Sequence, residues 1–458
     1  MTEKARASKR NPNAREVIRQ MKTVNNIFDS IASKENILIA IQRAARGKRK
    51  KWIVRYTLKH ADEIADKLSD ELQSGSWRPN EIHRVKVIND GIQMKKREIV
   101  CPDFINEQVV HHAIMNVCGP IFQKRFYRYS CASVPGRGVE FAIKYIRKSL
   151  KDHKNAKYFS VIDIKQFFNS IKPSKVFHAI RRIIRDKRVL VLFARILRAN
   201  KITRPDGEII KRGTPIGLYT SPWFANLLLT ALDNLIKASG VRYYIRYNDD
   251  MLLFHSNKRK LKKVLAMAEA YINSLRLHLK RPYQIHMLSK VKVCYIGASV
   301  SRDKIILKDK VFLRARRTAA RISKKLRATM YDAHKMVSYA GRFRHFDSYQ
   351  AFKKYISSKV SIRQMRKIIS KGAKKMFKKA QSKEKPLVVE NVGNNRYIVR
   401  QNITEAQNEQ GEMFYTYDEN IVTKDVLDVM QCVEGVEIKR ESAIIDEYTM
   451  QLIEEGSL

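Results

Sequence analysis

Apolar residues recur at three- and four-residue spacings along the first part of the chain. Ile27, Ile31, Ile37, Ile39 and Ile41 mark residues 24–47, and Ile64, Leu68 and Leu72 mark 51–74; both stretches are predicted helical. Residues 82–101 alternate instead, which predicts a hairpin turning at Asn89-Asp90-Gly91. Helical spacing returns over 107–122, and the short apolar run 158–164 suits a buried strand. Residues 174–200 read as helix, Pro205-Asp206-Gly207 as a turn and 221–238 as a further helix. Two β-rich runs, 241–247 and 251–254, are split by Asn248-Asp249, a turn pair. Leu261, Val264, Leu265, Ala268, Tyr271, Ile272 and Leu275 trace an amphipathic helix, and 292–299 reads as one strand. Residues 311–375 are helical, basic and rich in aromatics. Further on, 396–400 and 413–417 read as strands joined by a polar loop, with a closing helix over 444–454. Strands and helices mixed in this way predict an α+β architecture.

Charge adds a partner. The 458 residues carry 92 Lys+Arg against 44 Asp+Glu, a net +48. Residues 387–458 hold 15 acidic and 5 basic residues, so the first 386 carry 87 against 29, or +58. The sign changes just after a Lys-rich stretch, 371–385, which reads as a linker or the end of a basic helix. A surplus this large, spread over hundreds of residues, points to nucleic acid rather than a membrane surface. No apolar run approaches the roughly 20 residues that span a bilayer. The basic residues 1–10 precede no apolar stretch, so a secretory signal is not expected. Five cysteines, odd in number and without a Cys-x-x-Cys pair, disfavour a disulfide framework and a structural zinc site, and fit a reducing cytoplasm.

Three carboxylates stand out. Asp163 follows an apolar strand, and Asp249 and Asp250 sit at the tip of the expected hairpin between apolar runs. Carboxylates brought together beside apolar strands are costly unless cations pair with them. Oxygen ligands of this kind select Mg²⁺, which binds through one or two carboxylates plus substrate phosphates. Two such ions clamp the attacking and leaving oxygens of an in-line phosphoryl transfer. Taken alone, Asn248-Asp249 is equally well an ordinary hairpin turn.

Tyr247-Asn248-Asp249-Asp250 resembles the Tyr-x-Asp-Asp box of reverse transcriptases. Asp163 with Phe167-Phe168-Asn169-Ser170-Ile171 resembles that family's first catalytic motif, and 213–222 resembles its Pro-x-Gly…Ser-Pro segment. The resemblance covers roughly residues 25–370. It implies an RNA-directed DNA polymerase with a right-hand fold. Residues 24–157 would be N-terminal helices and fingers, 158–305 the palm, 306–386 a helical basic thumb, with 1–23 a mobile basic arm and 387–458 a small acidic α/β module. Asp163 and Asp249 would ligate two Mg²⁺ ions, or Mn²⁺ in their place, with Asp250 beside them and the backbone of Ile164 near the incoming triphosphate. Phe168 would exclude a 2′-hydroxyl. Pro215, Ile216 and Gly217 would floor the nascent base pair. Lys95 and Arg97 would meet the dNTP phosphates, and Lys280 would protonate pyrophosphate. Arg137, Tyr247 and Gly297 would touch template or primer, Gly297 through a primer-grip hairpin begun by Tyr295-Ile296. On sequence alone Lys280 is equally well a solvated surface lysine, while a general nucleic-acid-facing cluster is the alternative for Lys95–Arg97 and a plain turn that for the Arg137 segment. The thumb aromatics, Tyr339, Phe343, Phe346, Tyr349, Phe352 and Tyr355, read first as core.

Ile216 stands where most of the family has Gln, a feature of diversity-generating retroelement reverse transcriptases. That resemblance implies error-prone copying at template adenines and a small accessory protein. Gly217-Leu218-Tyr219-Thr220-Ser221-Pro222 and Asn248 depart from the subgroup's pattern. A phage-encoded or defence-associated reverse transcriptase, and a non-catalytic RNA-binding scaffold, are the alternatives. The acidic module would contact a protein partner or the basic thumb.

Overall fold

The computed structural model describes residues 23–90, 95–204, 207–211, 213–381, 388–391, 396–407, 413–423 and 439–440. The N-terminal arm over 1–22, Gly91 of the expected hairpin turn, Pro205-Asp206 and the expected closing helix lie outside the described residues. The chain divides into two units, Met1–Met365 and Arg366–Leu458.

In the first unit, helices α1 (Phe28–Ala32), α2 (Lys34–Ala44), α3 (Trp52–Lys59) and α4 (Ala61–Gln73) realise the two helical periodicities. Ile31, Ile37 and Ile41 are fully buried, whereas Ile39 faces outward at 49% exposure. Strands β1 (Ile82–Asp90) and β2 (Lys95–Cys101) pair antiparallel. Asn89 and Asp90 do not turn the chain, because they pair in register with Lys96 and Lys95. A wide helical turn, Phe104–Val109, leads into α5 (Val110–Gln123), and α6 (Val139–Lys151) follows.

Strand β3 (Tyr158–Ile162) is succeeded by a single turn, α7 (Phe167–Ser170). The expected helix over 174–200 is two helices, α8 (Pro173–Arg181) and α9 (Lys187–Arg198). The break is made by Asp186, whose carboxylate accepts from the backbone N–H of Arg188 and Val189 and also from Ile27 and Phe28, capping one helix while tying down the N-terminal segment. Strands β4 (Lys201–Thr203) and β5 (Ile209–Lys211) join the first hairpin in a sheet ordered β2-β1-β4-β5.

The sheet that matters most is built around β3. Helix α10 (Ser221–Ala238) precedes β6 (Tyr243–Tyr247) and β7 (Asp250–His255), and α11 (Lys258–Ser274) precedes β8 (His286–Met287). The four strands are ordered β6-β7-β3-β8, all antiparallel. Helix α11 packs on β3 and β7, and α10 is buried along most of its length, so one face of the sheet is sealed by helices.

The single strand expected over 292–299 is two, β9 (Val293–Tyr295) and β10 (Ala298–Val300), continued by β11 (Ile305–Leu307). Ile296 and Gly297 both take positive φ, 44° and 79°, and reverse the chain between them, which periodicity cannot reveal. Helices α12 (Asp309–Ser323), α13 (Met330–Phe343) and α14 (Tyr349–Phe352) follow. Tyr339, Phe343 and Phe346 are buried core residues, Phe352 and Tyr355 are half-buried against Phe343 and Phe312 respectively, and Tyr349 is exposed.

Helix α15 (Ile362–Gln381) runs across the division between units, which therefore falls ahead of the change of charge near Pro386. The second unit holds an antiparallel core of β12 (Val388–Asn391), β13 (Arg396–Gln407) and β14 (Met413–Thr423), with β15 (Lys439–Arg440) parallel to β12. The two strands expected here are real and about twice the expected length; a register shift between Gln401 and Thr404 breaks the alternation that would have betrayed it.

Candidate active site

The β6–β7 hairpin closes through a two-residue loop, Asn248-Asp249, with Tyr247 paired to Asp250. Asn248 sits at φ 55°, a left-handed conformation that asparagine tolerates better than bulkier residues. Register brings β3 alongside, Ile162 opposite Met251, so Asp163 emerges next to the loop. The chain after α11 then crosses behind Asp163. Ile164 bridges Leu279, the Lys165 N–H donates to the His278 carbonyl, and the Lys280 N–H donates to the Asp163 carbonyl at 2.8 Å. The Lys280 ammonium contacts the Asp163 carboxylate, an interaction that raises the lysine pKa and holds its proton.

Asp249 is strongly perturbed. Burial, the charge of Asp250 and that of Asp163 push its carboxyl up to about 7, and it lies within hydrogen-bond reach of Asp163. Three acids crowd one point beside the Lys280 ammonium, so the site favours added positive charge. Among the described residues no group of three or more His, Cys, Asp or Glu is arranged to hold a metal ion by itself. An open set of carboxylates suits Mg²⁺, which completes its shell with water and substrate phosphates.

The hairpin is held from behind. Arg246 and Asp233 are both fully buried and joined by two parallel bonds, Nη2 to Oδ2 at 2.7 Å and Nε to Oδ1 at 2.8 Å. The Tyr244 hydroxyl donates to the same Oδ1 at 2.7 Å. Arg246 Nη1 donates to Asn226 Oδ1 at 2.9 Å and to the Asn248 carbonyl at 3.0 Å. Burial works against the guanidinium charge, and Asp233 overcomes it, leaving the pKa above its ordinary value. The backbone of Arg246 is clamped as well, by Tyr129 and Cys131. One buried side chain thus fixes the peptide that precedes Asp249.

A cavity of about 660 Å³ opens over the acids, lined by Asp163, Ile164, Asp249, Asp250, Lys280, Phe168, Ile216, Tyr247, Gly297 and Arg97 among others. Phe168 contributes to the wall while its neighbour Phe167 is buried beneath it. The loop 213–217 is clamped between two backbones. The Thr214 N–H donates to the Phe168 carbonyl at 3.0 Å, and the Val100 N–H donates to the Ile216 carbonyl at 2.7 Å. A Cβ on Gly217, at φ 124°, would lie 2.1 Å from the Val100 carbonyl oxygen, so only glycine permits this approach. Pro215 is buried, its carbonyl accepting from the Ser221 hydroxyl. Pro215 and Gly217 shape the loop, and of the three expected floor residues Ile216 reaches the cavity.

Besides Pro215 and Gly217, Arg137 stands apart from the cavity lining. Arg137 turns inward, its Nη1 donating to the Tyr127 and Ser130 carbonyls at 2.7 and 3.0 Å. The side chain of Lys95 lies outside the described residues, although its backbone faces Asp90.

Against known proteins, residues 72–299 match the family model described as reverse transcriptase (RNA-dependent DNA polymerase), a span that holds all three acids, Phe168, the 213–217 loop and Lys280. The chain belongs to the reverse transcriptase family. Protein YkfC of Escherichia coli is 26% identical over 171 residues, covering 37% of this chain and 44% of that protein. The group II intron-encoded protein LtrA of Lactococcus lactis is 24% identical over 176 residues, covering 38% and 28%. The chain thus spans less than half the length of either relative. Apo telomerase from Candida Tropicalis covers 64% of each chain at 14% identity with a TM-score of 0.41, too slight a likeness to argue from.

This reverse transcriptase also carries site residues that its motifs did not announce. Gln166, at φ 46°, and Arg342 and His345, from α13 and the turn after it, line the cavity. Arg342 and His345 are distant in sequence from every motif and have no local signal. Arg246 and Asp233 had one: a charged residue in each of two strongly apolar segments, which marks a buried pair.

Proposed function

We propose that the protein is an RNA-directed DNA polymerase that extends a primer with dNTPs by metal-assisted phosphoryl transfer. The observation that carries this reading is the convergence of Asp163, Asp249 and Asp250 on a cavity large enough for a nucleotide, beside Lys280. Asp163 and Asp249 would hold Mg²⁺, with Asp250 beside them. Bound there, the metal would lower the pKa of the primer 3′-hydroxyl and neutralise charge on the departing pyrophosphate. Lys280, which touches Asp163, would deliver a proton to that leaving group. Arg97 lies in the cavity wall, where a guanidinium can bind phosphate oxygens in pairs. Phe168 would bar a 2′-hydroxyl, and Ile216 would lie under the new base pair.

On this reading the β1–β2 hairpin and the helices before it are fingers, the β6-β7-β3-β8 sheet is the palm, the β9–β10 turn at Gly297 grips the primer, and α12–α14 form the thumb. Residues 306–365 carry many cations for a duplex backbone. Ile216 in the cavity favours the finer reading of a diversity-generating enzyme that miscopies adenines, since an aliphatic side chain cannot hydrogen-bond where Gln would. The test is primer extension by the purified protein on a defined RNA template with Mg²⁺, offering dNTPs or rNTPs, followed by sequencing. Extension restricted to dNTPs supports the polymerase, and errors concentrated opposite adenines support the finer reading. Tight RNA binding without extension under any condition would favour a scaffold.

A further inference from the structure

A run of cations in the N-terminal helical segment has no part in the chemistry above. Residues 36–61 contain eight Lys and Arg and no acid. Most of these cations are exposed, but Lys48 is half-buried, its ammonium 5.7 Å from the centre of the Phe104 ring. Among the described residues it has no carboxylate partner, and burial together with Lys51 lowers its pKa. Arg43 is anchored nearby: Nη1 contacts Asn116 Oδ1, and Asn116 is held by Asn36 at 2.9 Å. The contact occupies one of the guanidinium's five donors. Both charges act on His112, which is buried to 8% exposure and stacked on Tyr219 with ring centres 3.7 Å apart. Burial, then Lys48, His111 and Arg43, push His112 down to about 4, so the ring is neutral and the local field is positive. A partly desolvated ammonium such as Lys48 without an anion is costly, and the cost is recovered when an anion arrives; Arg43 is exposed beside it and free to turn its remaining donors to the same anion.

We propose that Arg43 and Lys48, set near the His112–Tyr219 stack, form a seat for a phosphodiester of single-stranded nucleic acid leaving the cavity along the 213–220 loop. Tyr219 lies three residues beyond Ile216, which lines the cavity, so the loop joins the two places directly. Arginine supplies a bidentate fork and lysine a point charge, the combination that a phosphate takes. The stacked ring pair keeps the loop against α5 and presents a neutral surface near the two charges. The proposal rests on the polymerase reading for the strand's identity as template, but binding can be read without catalysis.

The test compares two primer–templates on the full-length protein by fluorescence anisotropy across a salt series, one with a long single-stranded 5′ template overhang and one nearly blunt. Wild type should bind the overhang substrate more tightly. Arg43→Gln with Lys48→Gln should bind the blunt substrate like wild type, lose the overhang increment, and lower the salt slope by about 0.7, the value for one phosphate of a single strand. Lys48→Arg should retain the increment, and unchanged thermal unfolding should accompany each variant. An equal loss on both substrates, or none on either, would overturn the seat. Inorganic phosphate that competes below millimolar concentration, with no effect of overhang, would assign the site to a free phosphate and overturn the template proposal. Primer extension is scored separately, so an inactive protein that still shows the increment refutes the polymerase reading and not the seat.

Discussion

Replacing Arg246 separates what holds the hairpin together from what makes it work. In Arg246→Met the Asp233 carboxylate stays fully buried with the Tyr244 hydroxyl as its donor and no counter-charge. Breaking a buried pair from one side costs about 3–5 kcal/mol. Replacing the whole group by apolar residues of similar size is often neutral or stabilising. Arg246→Met with Asp233→Leu and Tyr244→Phe should therefore recover most of the thermal stability that the single variant loses. It cannot restore the bond from Nη1 to the Asn248 carbonyl, which alone links this group to the peptide before Asp249. The expected outcome is a stable triple variant whose single-turnover extension rate stays at least roughly tenfold down, the effect of one lost positioning bond of about 1.4 kcal/mol. Its apparent dNTP affinity should change little, because the network does not line the cavity, and raised Mg²⁺ should recover part of the rate. The pair of assays is thermal unfolding and single-turnover primer extension on the same preparations. A triple variant that regains activity together with stability would show that Arg246 serves the fold alone.

Other outcomes follow from single observations. Phe168→Ala should raise ribonucleotide incorporation relative to deoxyribonucleotide by roughly 10–100-fold, read by competitive extension, since it removes a cavity wall without touching the acids. Gly217→Ala should destabilise the protein by on the order of 3 kcal/mol in denaturant unfolding, because its Cβ collides with the Val100 carbonyl and φ is 124°. His111 and His112 are held neutral, chiefly by burial, with pKa values near 4 against 6.5 when unfolded. The unfolded chain binds more protons between those values, so stability is full above about pH 6.5 and falls toward pH 4, by up to about 1.4 kcal/mol per pH unit for each ring. Replacing His111, whose ring nitrogens have no partner among the described residues, with Leu should flatten that slope in a pH series of unfolding curves.

The acids, the hairpin and most helices are legible in the sequence because each depends on local pattern. Asp249 is framed by two apolar runs whose register the structure keeps, and α10 begins and ends where its composition changes. The failures share a cause. The β9–β10 turn rests on two positive φ angles, one at an isoleucine, that no spacing rule anticipates. The break at Asp186 answers a contact with Ile27 and Phe28, 158 or 159 residues away. Arg137 sits in a glycine-flanked segment, and the bonds of its Nη1 to two nearby carbonyls cannot be read from that segment. Arg342 and His345 reach the cavity only because α13 returns to it. Sequence pattern reports periodicity and motif, while these positions are decided by tertiary approach.

The central claim is that Asp163 and Asp249 carry metal-dependent DNA synthesis on an RNA template. The most direct measurement is primer extension by wild type, Asp163→Asn and Asp249→Asn side by side, with Mg²⁺ titrated and RNA-binding affinity recorded for each. The account predicts Mg²⁺-dependent extension in wild type, none in either variant, and RNA binding that is unchanged or tighter once a negative charge is gone. Extension that persists in Asp249→Asn, or that proceeds in wild type with all divalent metal chelated, would contradict it.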